Sequence, residues 1–122
     1  MYHMVWIPKY RRQVLLGPVA DRLKEIILSV AAERAWEVLA QEVRPDHVHL
    51  FASVPPAIRP ADMVKVFKGV TARLLLKEFP QLAHKTGRGT LWAPSYFVGT
   101  AGNVSAETIR RYVEEQTVKG GD

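Results

Sequence analysis

The sequence predicts an α+β fold, in which an antiparallel β-sheet carries two helices on one face and a further helix follows at the C-terminus. Two long segments repeat apolar residues at helical spacing, and several short segments rich in aromatic and β-branched residues alternate in polarity. Glycine and proline clusters separate these segments. The predicted order is strand, helix, strand, strand, helix, strand, helix. Its first six elements give the βαββαβ order of a ferredoxin-like sheet.

The first half of the chain contains one helix and three strands. Residues 2–7 alternate weakly and predict a strand, and a basic connection follows. Residues 35–43 and 47–54 predict a hairpin, with Trp36, Val38 and Ala40 on one face of its first strand. Residues 19–33 predict a helix, whose apolar stripe is Val19, Leu23, Ile26, Ile27 and Val30.

The second half begins with a helix. Pro60 suits a first helical turn, and the pattern continues to about residue 79 with the core stripe Met63, Phe67, Val70 and Leu74. Residues 81–90 predict a loop, and residues 96–98 predict a short strand. Ser105 then caps a last helix that runs through Gln116.

Composition indicates one domain, spanning residues 1–122. A chain of 122 residues without cysteine has neither disulfides nor thiolate chemistry. No apolar run reaches the ~20 residues needed to cross a membrane, and nothing resembles a signal peptide, so we expect a cytoplasmic protein. The net charge of +5, from 17 Lys and Arg against 12 Asp and Glu, modestly favours a polyanionic partner.

Two histidines, His47 and His49, stand two positions apart in the predicted second strand of the hairpin. Residues at this spacing point to the same face of a strand, so the two imidazoles lie side by side. Such a pair either binds a divalent metal or forms part of a polar surface. A metal would need a third ligand from elsewhere, and its binding would weaken as the pH falls below ~6.5.

The last helix places Tyr112 and Gln116 four positions apart, hence on one helical face. Tyr112 could be an amphipathic residue at a helix–sheet seam, as many helical tyrosines are. Alternatively, Tyr112 is a nucleophile and the Gln116 amide oxygen is the third ligand of Mg²⁺ or Mn²⁺. The metal would then polarise a phosphodiester that the tyrosine attacks.

Five sequence blocks, in order along nearly the whole chain, carry a resemblance to a known family. The chain resembles the single-tyrosine, IS200-like transposases of small bacterial and archaeal insertion sequences, which are HUH endonucleases. Relative to that family, the few residues that usually precede the first strand are absent and the segment after Gln116 is short. The blocks are Trp6-Ile7-Pro8-Lys9-Tyr10-Arg11, Glu42-Val43-Arg44-Pro45-Asp46-His47-Val48-His49-Leu50, Phe67-Lys68-Gly69-Val70-Thr71-Ala72-Arg73, Leu91-Trp92-Ala93-Pro94-Ser95-Tyr96 and Tyr112-Val113-Glu114-Glu115-Gln116.

The resemblance implies a site and a reaction. His47, His49 and Gln116 would bind a divalent metal, Mg²⁺ or Mn²⁺, and Tyr112 would attack single-stranded DNA. The products would be a 5′-phosphotyrosine and a free 3′-hydroxyl. The DNA ends would be imperfect hairpins, and the protein would be a nucleoid-associated homodimer whose active sites can be shared between subunits.

The resemblance also directs attention to DNA contacts. The cations of the second helix form either a solvated face or a phosphate-contacting ridge, and the family pattern favours Lys68 and Arg73 as DNA-binding residues. Residues of the type that stacks on single-stranded bases are Tyr10, Trp92, Tyr96 and Phe97. Each is more often a core residue than a stacking platform, so none is assigned this role.

Other functions remain open on the same scaffold. A non-catalytic nucleic-acid-binding module, including a domesticated relative, would need neither metal nor tyrosine. A metal-dependent hydrolase would use water as its nucleophile and form no covalent adduct. Replication and relaxase HUH enzymes often carry a third histidine. The motifs place none here, and we interpret His3 and His84 as structural or surface residues.

Overall fold

The computed structural model describes residues 1–87 and 89–100. Within them, the predicted strand–helix–strand–strand–helix–strand order is confirmed, with one short additional helix, α3, before the last strand. The predicted C-terminal helix, with Tyr112 and Gln116, lies outside the described residues. The elements are β1 (Tyr2–Pro8), α1 (Gly17–Glu33), β2 (Glu37–Arg44), β3 (His47–Ser53), α2 (Pro60–Glu78), α3 (Ala83–Thr86) and β4 (Trp92–Thr100).

The four strands form one antiparallel sheet in the order β2-β3-β1-β4. This is the predicted ferredoxin-like arrangement, because each helix connects two strands that flank a third. In the central pair, Trp6 lies opposite Val48 and Val5 lies opposite His49. Alternation along β1 and β3 therefore gives the sheet one apolar face, with Trp6 and Val48, and one face that carries histidines.

Helices α1 and α2 cover the apolar face. Trp6 packs with its ring centroid 6.5 Å from that of Phe67, and Trp92 meets Trp6 edge-on at 5.9 Å. The predicted stripe of α1 is buried as expected. In α2 the stripe is rotated from the prediction, since the buried residues are Met63, Val64, Phe67, Thr71 and Leu75.

Thr71 explains how a polar residue can occupy that stripe. Its hydroxyl donates a hydrogen bond to the Phe67 carbonyl oxygen at 2.6 Å and accepts one from Trp92 Nε1 at 3.0 Å. Because both capacities of the hydroxyl are used, its burial leaves no unpaired polar group. Val70 and Leu74, which we predicted for the core, are only partly buried.

A β-bulge in β2 contradicts the predicted alternation of that strand. Val38 pairs with Ala52 and Ala40 pairs with Phe51, so Leu39 is an extra residue between them. Val38 packs against the main core, whereas Ala40 joins Leu39 and Phe51 on the other face. Val38 and Ala40 therefore do not share a face, because one inserted residue inverts the alternation that follows it.

Strand β4 is longer than predicted and forms an edge of the sheet. It covers Trp92–Thr100 rather than residues 96–98, and Pro94 is tolerated there because an edge strand leaves one row of N–H groups unpaired. The predicted loop before β4 contains two short helical turns, Pro80–Leu82 and Ala83–Thr86. Among residues 1–87 and 89–100, no helix combines the length and apolarity that a membrane crossing requires.

Candidate functional site

His47 and His49 lie side by side on the face of the sheet that α1 and α2 leave uncovered. Their ring centroids are 4.9 Å apart, as their spacing in a strand predicts. Both side chains are partly buried. Their strand is internal to the sheet, between β2 and β1, so the backbone that carries the two rings is held by hydrogen bonds on both sides.

Each ring is engaged at Nδ1 by a neighbouring side chain. His47 Nδ1 lies 2.8 Å from Asp46 Oδ1, and His49 Nδ1 lies 3.4 Å from His3 Nε2. The other oxygen of Asp46 accepts a hydrogen bond from Arg11 Nε at 2.9 Å. Within the part of the chain that the structure describes, Nε2 is thus the ring nitrogen of each histidine that remains for a ligand.

Arg11 reaches Asp46 from an unusual turn after β1. Tyr10 and Arg11 have φ angles of 61° and 52°, in the left-handed region that residues other than glycine seldom occupy. This turn directly follows Pro8, and in it the guanidinium of Arg11 contacts the carboxylate of Asp46, the turn residue just before the His47 strand.

His3, which we interpreted from the sequence as a structural or surface residue, lies in contact with His49. Its ring stacks on Phe51 with centroids 4.4 Å apart and the planes within 5°, and it meets Phe97 edge-on at 5.7 Å. Alternation places His3 on the same face as Val5, but only the register of β1 against β3 brings it to His49. That register is a long-range property that strand alternation does not determine.

Burial favours the neutral form of two of these imidazoles. The pKa of His49 is lowered mainly by burial, and also by the neighbouring His47 and His3. Burial likewise lowers the pKa of His3. Conversely, the hydrogen bond from His47 holds the pKa of Asp46 below its usual value, which keeps that carboxylate ionised. Neutral imidazoles with an ionised neighbour are the protonation states that metal binding requires.

The neighbouring strand adds a charged pair beside the histidines. Glu42 lies opposite His49 and Arg44 lies opposite His47, and Arg44 Nε donates to Glu42 Oε1 at 2.6 Å. Their effects on the pKa of His49 oppose each other, since Glu42 raises it and Arg44 lowers it.

These residues fit part of a metal site. Among residues 1–87 and 89–100, no group of three His, Cys, Asp or Glu side chains could hold a metal ion. A site built on His47 and His49 therefore takes its third protein ligand from another residue type or from another part of the chain. Gln116, the predicted third ligand, satisfies both conditions, and it and the predicted nucleophile Tyr112 lie outside the described residues.

Lys68 and Arg73 lie on different sides of α2. Lys68 Nζ donates to the carbonyl oxygen of Ala93 at 2.7 Å and contacts that of Ser95 at 3.5 Å, and burial lowers its pKa. It also lies 5.5 Å from the ring centroid of Tyr96, in a cavity of about 530 Å³ between α2 and β4. Lys68 thus joins α2 to the edge strand, whether or not it also contacts DNA.

Arg73 is exposed and lines a separate cleft of about 180 Å³ between α1 and α2. The same cleft is lined by Arg22 and Arg34. Arg22 forms ion pairs with Glu25 and Glu78. Arg34 lies over the ring of Trp36 and forms an ion pair with Glu33, which also lines the cleft. Two of the three arginines that line the cleft, Arg22 and Arg34, are therefore engaged by carboxylates.

The aromatic candidates for base stacking divide into two classes. Tyr10 is 69% exposed and Phe97 is 56% exposed, and Tyr96 is also exposed. Trp92 is a core residue, because only 7% of its surface is exposed and its Nε1 is bonded to Thr71. Three of the four candidates thus remain available for stacking, with Phe97 next to His3.

Comparison with known sequences reveals extensive similarity. A family model described as "Transposase IS200 like" matches residues 1–116. The chain is 45% identical over 115 residues to the ISDra2 transposase TnpA of Deinococcus radiodurans, covering 94% of this chain and 82% of that protein. It is 29% identical over 115 residues to the transposase for insertion sequence element IS200 of Salmonella typhimurium, covering 94% and 75%.

Solved structures support the fold. A crystal structure from Deinococcus radiodurans R1 matches with a TM-score of 0.77 at 42% identity, covering 94% of this chain and 88% of that one. A REP-associated tyrosine transposase bound to a REP hairpin matches with a TM-score of 0.67 and covers 98% of this chain and 67% of that one. At 20% identity, this second match bears on the fold alone.

Proposed function

This chain belongs to the family of IS200-like transposases, and we propose that it cuts and rejoins single-stranded DNA through a covalent tyrosine intermediate. The observation that carries the proposal is the pair of imidazoles on the uncovered face of the sheet, 4.9 Å apart and each engaged at Nδ1. This arrangement is suited to a divalent metal, Mg²⁺ or Mn²⁺, held by His47, His49 and Gln116. When bound, the metal would polarise the phosphodiester to be cut.

The chain's own residues account for the rest of the reaction. The phenolic oxygen of Tyr112 loses its proton to solvent and attacks phosphorus, which forms a tyrosine–phosphate bond. The bond from phosphorus to the 3′ oxygen breaks, and that oxygen leaves as a 3′-hydroxyl after gaining a proton. Rejoining is the reverse step, in which a 3′-hydroxyl attacks the 5′-phosphotyrosine and releases the tyrosine. No external energy source is needed, since one phosphodiester is exchanged for another.

The DNA substrate that we propose is a single strand whose ends fold into imperfect hairpins. The similar REP-associated transposase is bound to a REP hairpin. In this chain, the exposed guanidinium of Arg73 in its cleft is suited to contact a phosphate backbone, which would help to fix the position of a hairpin without reading its bases. Lys68 is the second proposed DNA contact. Its ammonium group has three N–H donors, and the two carbonyl oxygens leave one of them for a phosphate.

We further propose that the working form is a homodimer in which the Tyr112 helix can complete the site of the partner. Strand β4 is an edge of the sheet, and it carries exposed Tyr96 and Phe97. An exposed edge with aromatic side chains can pair with another strand, and a second copy of the chain would cover it. Phe97 also touches His3, so such an interface would lie beside the histidines.

A cleavage assay with matched variants tests the proposed reaction. Single-stranded oligonucleotides from the DNA flanking the gene are incubated with protein and Mn²⁺ or Mg²⁺, and the products are separated on a denaturing gel. We expect cleavage by the wild type, and by Tyr2→Phe as the matched control. Tyr112→Phe and His49→Ala should not cleave, while Tyr112→Phe should still bind the hairpin.

Two results would contradict the proposal. Cleavage that survives Tyr112→Phe would assign the reaction to a metal-dependent hydrolase that uses water. Binding without cleavage, in the presence of either metal, would assign the chain to a domesticated or purely DNA-binding role.

A further inference from the structure

We propose that His3 and Asp46 are positioning residues, which determine that His49 and His47 each present Nε2 to the metal. The inference rests on the proposed function, because it concerns the metal that His47 and His49 would bind. It goes beyond that function by assigning roles to two side chains outside the predicted ligand set.

The contact between Asp46 and His47 settles which nitrogen of His47 carries the proton. An ionised carboxylate can only accept hydrogen bonds, so at 2.8 Å it requires a proton on His47 Nδ1. A metal ligand must be unprotonated at the coordinating nitrogen, and with Nδ1 protonated that nitrogen is Nε2. Arg11 holds the other oxygen of Asp46 at 2.9 Å, which fixes the carboxylate in this orientation. A chain of two hydrogen bonds thus runs from Arg11 through Asp46 to Nδ1 of His47.

The second contact joins two imidazoles, so either ring could be the donor. If His49 Nδ1 donates to His3 Nε2, then His49 has its lone pair on Nε2, in the same sense as His47. A metal bound at His49 Nε2 selects this tautomer. His3 is well placed to accept, because its ring is fixed by stacking on Phe51 and by the edge of Phe97.

The two contacts differ in strength. The Asp46 contact is short and charge-assisted, whereas the separation of 3.4 Å between His3 and His49 is that of a weak hydrogen bond. His3 lies in the central strand pair and Asp46 in the turn between β2 and β3. Backbone pairing of these strands limits the movement of both residues. We therefore expect removal of Asp46 to weaken metal binding more than removal of His3.

Metal affinity in the absence of DNA tests the inference without relying on activity. The protein is titrated with Mn²⁺, and the free ion is followed by electron paramagnetic resonance. His3→Phe keeps an aromatic ring to stack on Phe51 but removes the acceptor, and Asp46→Ala removes the carboxylate. Loss of either hydrogen-bond partner of the histidines should raise the dissociation constant of Mn²⁺ about 10- to 100-fold.

Two control variants match these changes at positions away from the histidine pair. Asp62→Ala removes a carboxylate that is bonded to Arg59 Nε at 2.8 Å, a distance similar to that between Asp46 and Arg11. His84→Phe makes the same exchange as His3→Phe at an exposed position on α3. Both should bind Mn²⁺ as the wild type does.

Nitrogen-15 NMR of the histidine side chains reports the tautomers directly, and its first measurement uses the wild-type protein alone. In wild-type protein with Mg²⁺, His47 and His49 should each show a protonated Nδ1 and an unprotonated Nε2. In His3→Phe, the signals of His49 should change toward a mixture of tautomers, while those of His47 remain.

Three outcomes are decisive. Unchanged Mn²⁺ affinity in both Asp46→Ala and His3→Phe, with a wild type that binds the ion, would overturn the inference while leaving the proposed function intact. A metal-induced shift on His3 Nε2 would also overturn it, because His3 would then be a ligand. Failure of the wild type to bind Mn²⁺ would instead contradict the metal site of the proposed function, and the inference with it.

Discussion

Thr71 connects α2 to the edge strand, and replacing it with valine should destabilise the protein by a predictable amount. Valine has nearly the same shape as threonine, so the substitution creates no cavity. It removes the hydroxyl that accepts the hydrogen bond of Trp92 Nε1 at 3.0 Å, and both residues are buried. A buried donor left without a partner costs about 1–3 kcal/mol, so we expect the free energy of unfolding to fall by that amount.

The hydroxyl of Thr71 also donates to the Phe67 carbonyl oxygen, but this bond contributes less to the prediction. That oxygen is a helical carbonyl, which has its own backbone partner within α2. The penalty should therefore arise mainly at Trp92. A double-mutant cycle isolates this contribution, because Trp92→Phe removes the indole N–H that Thr71→Val leaves unpaired.

Urea denaturation followed by far-ultraviolet circular dichroism measures all four proteins of the cycle. Thr71→Val should lower the midpoint without a change in slope, and Thr71→Ser, which keeps the hydroxyl, should lose only about 1 kcal/mol for its missing methyl group. In the Trp92→Phe background, the effect of Thr71→Val should shrink markedly. An equal effect of Thr71→Val in both backgrounds would refute the assignment of the penalty to the indole N–H.

Four further predictions concern charge and the sheet edge. Lys68→Met should lower the free energy of unfolding by ~1–2 kcal/mol, because two carbonyl oxygens lose a charged donor. In the same urea assay, Arg73→Gln should leave the free energy of unfolding unchanged. If Arg73 contacts a phosphate, Arg73→Gln should also reduce the slope of log K against log salt for hairpin binding by about 0.9, and an unaltered slope would remove Arg73 from the interface. Burial lowers the pKa values of His3 and His49, so the unfolded chain binds protons first as the pH falls below ~6.5. The free energy of unfolding should therefore decrease between pH 7 and pH 5, and the decrease should be smaller in His3→Phe. A decrease as large in His3→Phe as in the wild type would contradict the effect of burial on His3. If the protein is the homodimer that we propose, with β4 at its interface, Phe97→Glu should shift it from dimer to monomer in analytical ultracentrifugation. An unchanged dimer mass would contradict an interface at β4.

The order and type of the elements could be predicted from the sequence because local patterns determine them. The stripe of α1 and the alternation around His47 and His49 are properties of neighbouring residues, and the structure agrees with both. Prediction failed where a single residue interrupted the pattern. Leu39, the bulged residue of β2, reverses the alternation that Val38 and Ala40 were expected to share.

The burial of α2 was mispredicted for a different reason. The predicted core stripe of α2 did not include Thr71, and only the indole of Trp92, 21 positions away, gives its buried hydroxyl a donor to accept from. His3 was missed in the same way, since its place beside His49 depends on how β1 registers against β3. Contacts of this kind are made by tertiary structure and have no local signature.

The DNA-binding predictions illustrate a further limit. Lys68 and Arg73 belong to one sequence block and to one helix, so a basic ridge was a natural hypothesis. The packing of α2 separates them, with Lys68 directed to β4 and Arg73 in the cleft beside α1. Which cations of a helix remain accessible is decided by the elements that pack against it.

The central claim, that Tyr112 becomes covalently linked to DNA, has a direct test. Wild-type protein is incubated with its oligonucleotide substrate and Mn²⁺, the adduct is digested with trypsin and nuclease, and the peptides are identified by tandem mass spectrometry. We predict a 5′-phosphonucleotide on the peptide that contains Tyr112, formed only in the presence of the metal. A linkage to another residue, or cleaved DNA without any linked peptide, would contradict the account.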